Sequence, residues 1–285
     1  MSKELSPIKL SSASGESLIG LAPKERPIAQ WVGDWIQAQP RTQEALAPAY
    51  AFPLLQEVGE KSAWTYLHSV RVGLIVEGLA GILNKVTPAD NQEVKTLSAS
   101  DLIVLRRAAY LHDVGKLVVP TEILDKKGRP TEKEAYEIQA HPRAGLEIVS
   151  GKGDQRVGMV LVGHHEHQAR PYPRNPREQT VWVHPDRRQQ EPAIILMQKV
   201  IAVADVFDAL SNRRPYPKWN DEGQIIKTAT EPLSSKKILQ ELEKQFVGDL
   251  SVELFDLAIF IGNRVNNIPE IKEAQSQVEH QLLLV

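Results

Sequence analysis

The stretch SASDLIVLRRAAYLHDVGK, residues 98–116, decides how this chain folds. Ser98 or Ser100 is a suitable N-cap, and Leu102, Leu105, Ala109 and Leu111 recur at helical spacing. Together they predict a helix that runs into His112 and Asp113. His112 offers a neutral nitrogen ligand and Asp113 an anionic oxygen ligand, side by side. Neighbours on a helix project about 100° apart, so the two flank one ion only if the chain ends or bends there. Gly115 permits that bend, and Lys116 follows one turn after Asp113's predecessor, on a neighbouring face. An ionised aspartate can also bridge two ions with one oxygen for each, and that is the role expected for Asp113.

Outward from this point lie His68 upstream and His141, the pair His164-His165 and Asp205 downstream. Six of the eight histidines fall between residues 68 and 167. Imidazole with carboxylate suits first-row divalent metals, and here there are enough ligands for two ions. Two metals a few ångströms apart are a common device for attacking phosphate esters. Each member taken singly has a plainer reading. The His112-Asp113 pair could be an imidazole bonded to a local carboxylate or carbonyl. His68 could be a satisfied, half-buried residue, and His141 before Pro142 could cap a helix end. Asp205, in the apolar Val203–Phe207 run, could hold a salt bridge or cap interaction, since a buried carboxylate needs a partner. Two adjacent imidazoles at 164 and 165 are harder to explain by packing, and the set in its order favours metal. His167 and His184 are not expected as ligands.

The pattern elsewhere is helical. Residues 57–85, 157–167, 193–212 and 254–261 carry apolar faces, and Ser234/Ser235 open a further helix through Leu239, Leu242 and Phe246. Thr131 and Glu134 form a capping box that opens a helix towards His141. At Pro142 that helix either kinks or gives way to a new one. Val181–His184 is the one short strand candidate, inside a proline- and arginine-rich loop over 168–192. The expected fold is all-α. It consists of a single helical domain over 56–265, an N-terminal arm over 1–55 that is partly helical around Trp31 and Trp35, and a tail over 266–285.

Composition narrows the function classes. With 285 residues, 42% hydrophobic and 25% charged, the chain reads as a soluble globular protein. A net charge of −2 gives no electrostatic case for a nucleic-acid polymer. No cysteine is present, which excludes disulfides, zinc–thiolate sites and thiol nucleophiles. No apolar run approaches the roughly 20 residues of a membrane span, and Met1–Ser6 lacks the apolar stretch of a secretion signal. A cytoplasmic protein without membrane partners is expected, and its oligomeric state is open.

The order His68, His112-Asp113, His141, His164-His165, Asp205 resembles the HD superfamily of metal-dependent phosphohydrolases, and more narrowly its HD-GYP subfamily. The local matches are extended: His112 to Lys116 with Val119 to Gly128, Thr131 to Gly145, and Asp205 to Tyr216. They cover roughly residues 60–260. The naming motif departs. After His164-His165-Glu166 the chain reads His167-Gln168-Ala169-Arg170-Pro171-Tyr172-Pro173, without the family's Asp-Gly pair or the glycine before Tyr172. Some members place a glutamate four residues before the first histidine, as a ligand to a third metal; Trp64 stands there.

The resemblance implies an HD-type helical bundle. It implies one ion held by His68, His112, Asp113 and Asp205, and a second held by Asp113, His141, His164 and His165. Iron or manganese is favoured by the family, while zinc or nickel also suits the ligands. Lys116 would neutralise charge growing on the phosphoryl group, or else is a solvated lysine near a helix end. Arg213 and Arg214 could grip a substrate phosphate, or an arginine could pair with Asp208 to hold the loop. The arginines of the 168–192 loop are read as solvated. The expected activity is hydrolysis of a cyclic dinucleotide such as cyclic di-GMP. The alternatives are a general phosphohydrolase of small phosphorylated nucleotides or phosphate esters, and a catalytically silent relative that binds a ligand or partner protein.

Overall fold

A computed structural model describes residues 26–86, 96–124, 126, 130–169, 191–212, 218–219, 225–227, 232–246 and 252–284. The helices in chain order are α1 (Ile28–Gln37), α2 (Pro40–Ala45), α3 (Ala51–Lys61), α4 (Ala63–Ala80), α5 (Leu83–Val86), α6 (Ala99–Leu111), α7 (Thr121–Leu124), α8 (Glu132–Gln139), α9 (His141–Ser150), α10 (Gln155–Val162), α11 (Pro192–Ser211), α12 (Ser235–Gln245), α13 (Val252–Asn266) and α14 (Pro269–Leu284). A 3₁₀ turn over Val114–Val118 follows α6. The all-α expectation holds for the architecture. The exception among the described residues is a short antiparallel pair, β1 (Lys218–Trp219) against β2 (Ile225–Lys227), which sequence patterning did not suggest. The strand candidate at 181–184 lies outside the described residues.

Helix α4 is the axis of the bundle. It is apolar all round, and a helix of that kind must be enclosed by others. It packs against α3, α6, α11, α13 and α14. Its two formal charges, Arg71 and Glu77, are both buried, and both are partnered. The Glu77 carboxylate accepts from Thr42 Oγ1 and from the Tyr110 hydroxyl, each at 2.8 Å, which ties α2 and α6 to α4. Arg71 belongs to the site described below.

Three sequence readings are revised by the packing. The helix expected over 57–85 is broken at Ser62, which is extended (φ −152°, ψ 103°) and accepts from Thr65 N through its hydroxyl. A capping serine in mid-pattern ends α3 and starts α4, although the apolar periodicity runs straight through it. The segment expected as an arm to residue 55 is helical from Ile28 and places Trp31, Val32, Ile36, Leu54 and Leu55 in the main core. The expected tail after 265 is helix α14, which buries Ile271, Ala274 and Val278 and contacts both α1 and α4. Among the described residues, no helix is long and apolar enough to cross a membrane.

The helix carrying His112-Asp113 starts at a full capping box. The Ser98 hydroxyl accepts from Asp101 N at 3.1 Å, and Asp101 Oδ2 accepts from Ser98 N at 3.0 Å. Ser98→Ala is therefore expected to cost about 1 kcal/mol of unfolding free energy. Chemical denaturation measures this, and a loss of only about a tenth of that would mean the cap contributes nothing here.

Candidate metal centre

The ligand residues sit where helices stop. His112 caps the end of α6, His141 begins α9 directly after α8, and His164 follows the last turn of α10. The last carbonyls of a helix lack an intrahelical partner. Each of these histidines takes one of them, three residues back. Nδ1 of His112 donates to Ala109 O at 2.9 Å, that of His141 to Ile138 O at 2.8 Å, and that of His164 to Leu161 O at 2.5 Å. A carbonyl only accepts, so Nδ1 carries the proton and the lone pair of each neutral ring is on Nε2. His68 on α4 is fixed differently: its Nδ1 lies 2.7 Å from Asp208 Oδ2. The chain turns at Pro142 by starting a new helix with proline in its first turn, which decides between the two sequence alternatives.

Two buried groups of ligand atoms result. His68, His112 and Asp113 form one, and His141, His164 and His165 the other; within each, one ligand atom per residue lies within 4.8 Å of the others. Asp205 Oδ1 lies 3.1 Å from His68 Nε2, and Oδ2 lies 3.8 Å from His165 Nδ1. Asp113 stands between the groups. Its Oδ1 is 3.2 Å from His141 Nε2, while its Oδ2 is 3.7 Å from His68 Nε2 and 3.6 Å from His112 Nε2. One oxygen faces each group. All seven residues expected as ligands are thus brought together, on α4, the turn that ends α6, the start of α9, α11 and the turn after α10. Lys116 Nζ lies 2.6 Å from Asp113 Oδ2 at the margin of the cluster, with 22% of its side chain exposed against 2% for Asp113.

Gly115 serves this arrangement through space rather than through backbone freedom. A Cβ at Gly115 would stand 1.8 Å from His141 O and 2.6 Å from Gly145 N, both backbone atoms. The 3₁₀ turn therefore lies directly on the start of α9, which is what brings Asp113 to His141. Among the described residues, the positive-φ glycine is Gly153 instead.

The donor set fits divalent cations. His141 Nε2 and His164 Nε2 face each other at 3.3 Å, both as acceptors, with Asp113 Oδ1 as a third. His68 Nε2 and His112 Nε2 are 3.2 Å apart, beside two carboxylates. Converging lone pairs of this kind call for a cation among them. Burial pushes His112 down to about 4 and His141 down to about 3, and it lowers His164 and His165 as well, so these rings are neutral ligands at physiological pH. Burial also opposes the charge on His68, but hydrogen bonds to Asp205 and Asp208 outweigh it and raise that ring to about 9. A cation at His68 Nε2 therefore competes with a proton. Burial disfavours ionised Asp113 and Asp205, yet Lys116 beside the first and the His68 bond to the second hold both carboxyls well below the usual range.

Sequence reasoning offered an arginine partner for Asp208 among Arg213 and Arg214, but missed Arg71 as that partner and the bond from Asp208 to His68. Asp208 is buried one turn after Asp205, and it accepts from Arg71 Nε at 2.6 Å and from Nη2 at 3.0 Å. His167, set aside as a ligand, lies 3.0 Å from Gln198 Oε1, and Gln198 Nε2 donates to Met159 O. Trp64 places its ring 5.7 Å from Arg71 Cζ. Arg213, Arg214, His184 and the arginines between 170 and 188 lie outside the described residues.

Comparison with known proteins agrees with this geometry. The family model described as "HD domain" matches residues 65–210, about half the chain. The chain is 38% identical over 134 residues to the cyclic di-GMP phosphodiesterase response regulator RpfG of Xanthomonas campestris, covering 45% of this chain and 32% of that protein. It is 37% identical over 161 residues to the 3'3'-cGAMP-specific phosphodiesterase 3 of Vibrio cholerae, covering 56% and 30%. A cyclic di-GMP phosphodiesterase of Thermotoga maritima is 29% identical over 191 residues, covering 64% and 45%. The chain spans about a third of the length of the first two relatives.

Proposed function

The chain belongs to the HD domain family, and from that premise we propose that it is a metal-dependent phosphodiesterase that hydrolyses a cyclic dinucleotide, cyclic di-GMP first among them, in the cytoplasm. The observation that carries this reading is Asp113, with one carboxylate oxygen turned to each of two buried ligand groups. Two ions are proposed, iron or manganese, one at His68, His112, Asp113 and Asp205 and the other at Asp113, His141, His164 and His165. Trp64, in the place of a third-metal glutamate, supports two rather than three.

Bound ions of this type supply an acidified water as nucleophile and a Lewis acid for phosphoryl oxygens. The protein's own groups set the rest. The three carbonyl-bound histidines hold Nε2 inward without a change of tautomer. Asp113 fixes the spacing of the two groups. Lys116, at the exposed margin of Asp113, is placed to pair with negative charge that develops on the phosphoryl oxygens. Arg213 and Arg214 follow the ligand helix α11 and are proposed to hold a substrate phosphate.

A general phosphohydrolase of nucleotides or phosphate esters is the second reading, favoured by the altered segment His167-Gln168-Ala169 after Glu166. Metal content after purification, then turnover of a chromogenic phosphodiester and of cyclic di-GMP, tests both. Two ions per chain with cyclic di-GMP turnover is the expected result. Turnover of the chromogenic ester alone would favour the second reading. Absence of both metal and turnover would leave a silent binding protein.

A further inference from the structure

Helix α14 lies beyond the segment matched to the HD domain, yet it reaches the metal centre through side chains. Gln275 Oε1 accepts from Arg71 Nη1 at 2.5 Å. The amide is held in that orientation because its nitrogen donates to Glu279 Oε1 at 2.7 Å. Arg71 is fully buried and turns its Nε and Nη2 to the two oxygens of Asp208, at 2.6 and 3.0 Å. Asp208 Oδ2 in turn holds His68 Nδ1 at 2.7 Å. The ring of Trp64 lies over the same guanidinium. An unbroken series of hydrogen bonds thus joins α14 to one ligand, and that ligand differs from the others. His112, His141 and His164 are oriented by their own helix ends, whereas His68 depends on groups far away in sequence.

We infer that Gln275 and Arg71 are positioning residues for the His68 half-site, so that docking of α14 sets the affinity of one of the two ions and leaves the other untouched. This rests on the two-ion reading above. Partners that orient a ligating histidine tune metal affinity, typically about 10–100-fold when they contact the ligand directly. A guanidinium held on three sides keeps Asp208 aimed at Nδ1. Without Gln275, Arg71 keeps the Asp208 bonds but loses the group that fixes its far nitrogen. The expected effect of removing Gln275 is therefore smaller than for a direct partner, about three- to tenfold.

The experiment is calorimetric titration of Mn2+ into the full chain after chelator treatment. Wild type should bind two ions. Gln275→Leu should weaken one of them about three- to tenfold and leave the other within about twofold, while Gln275→Glu combined with Glu279→Gln, which keeps an acceptor for Arg71 and a donor from residue 279 to hold it, should restore it. Gln277→Leu is the control on the same helix: it removes the 3.3 Å bond from Trp31 Nε1, does not touch Arg71, and should leave both affinities unchanged. In a His68→Ala background, Gln275→Leu should add nothing. Unchanged affinities in Gln275→Leu, an equal fall at both sites, or the same fall in Gln277→Leu would overturn the inference while the two-ion reading stands. A wild type that binds no Mn2+ would instead overturn the two-ion reading, and the inference with it.

Discussion

Asp113→Ala is expected to abolish metal binding at both proposed half-sites, and hydrolysis with it. The expectation follows from the division of one carboxylate between the groups, with Oδ1 at 3.2 Å from His141 Nε2 and Oδ2 within 3.7 Å of His68 and His112. Loss of an orienting partner typically lowers metal affinity about 10–100-fold, so loss of a ligand common to both sites should exceed that range at each. Removing a ligand that served one site would empty only that site. Atomic absorption on the purified variant, with circular dichroism to confirm folding, makes the distinction. A folded Asp113→Ala protein that retains one full equivalent of metal would contradict the bridging role. The same variant also removes the 2.6 Å bond from Lys116, so Lys116→Met is the companion. It should keep both ions and lose turnover, which separates charge neutralisation from metal retention.

Gly115→Ala is expected to be nearly as severe although Gly115 has no functional group. Its Cβ would meet the backbone of α9 at 1.8 Å and 2.6 Å, and backbone cannot swing aside as a flexible side chain can. Overpacking of this kind costs roughly 1–3 kcal/mol and sometimes more. Relief requires the 3₁₀ turn and α9 to separate, which pulls Asp113 from His141 and so loosens the second half-site along with the fold. Thermal unfolding and metal stoichiometry measured together check this. A variant that melts at the wild-type temperature with two ions bound would mean that the close approach is not what sets the spacing.

The seven residues that the fold gathers were conspicuous in the sequence, because histidine and aspartate stand out chemically in an apolar helical context. The capping box at Thr131 was legible because a cap is a contact within four residues, and Ser98 was one of two N-cap candidates, although its reciprocal bond with Asp101 was not read. The contacts that could not be read are those that cross the chain. Arg71 and Asp208 stand 137 residues apart, and nothing local to either says that they meet. The same limit applied to the two ends of the chain. Residues 28–55 look weakly periodic because proline interrupts them, and α14 reads as polar. Each buries its narrow apolar face against elements distant in sequence, residues 28–55 against α4, α6 and α14, and α14 against α1, α4 and α13. Ser62 was overlooked for the opposite reason, since a continuous apolar pattern hid a real break.

The bond from each helix-end histidine to the carbonyl three residues back has a consequence for how such a chain can change over time. The outward faces of α6, α8 and α10 can vary in residue type without reaching the ions, but their residue count cannot vary. An insertion or deletion of one residue within any of them would carry the terminal imidazole about 100° around the helix axis, away from its counterparts. Length, more than composition, is therefore the inherited quantity in these three helices, and new residues can be accommodated only in the connections between them.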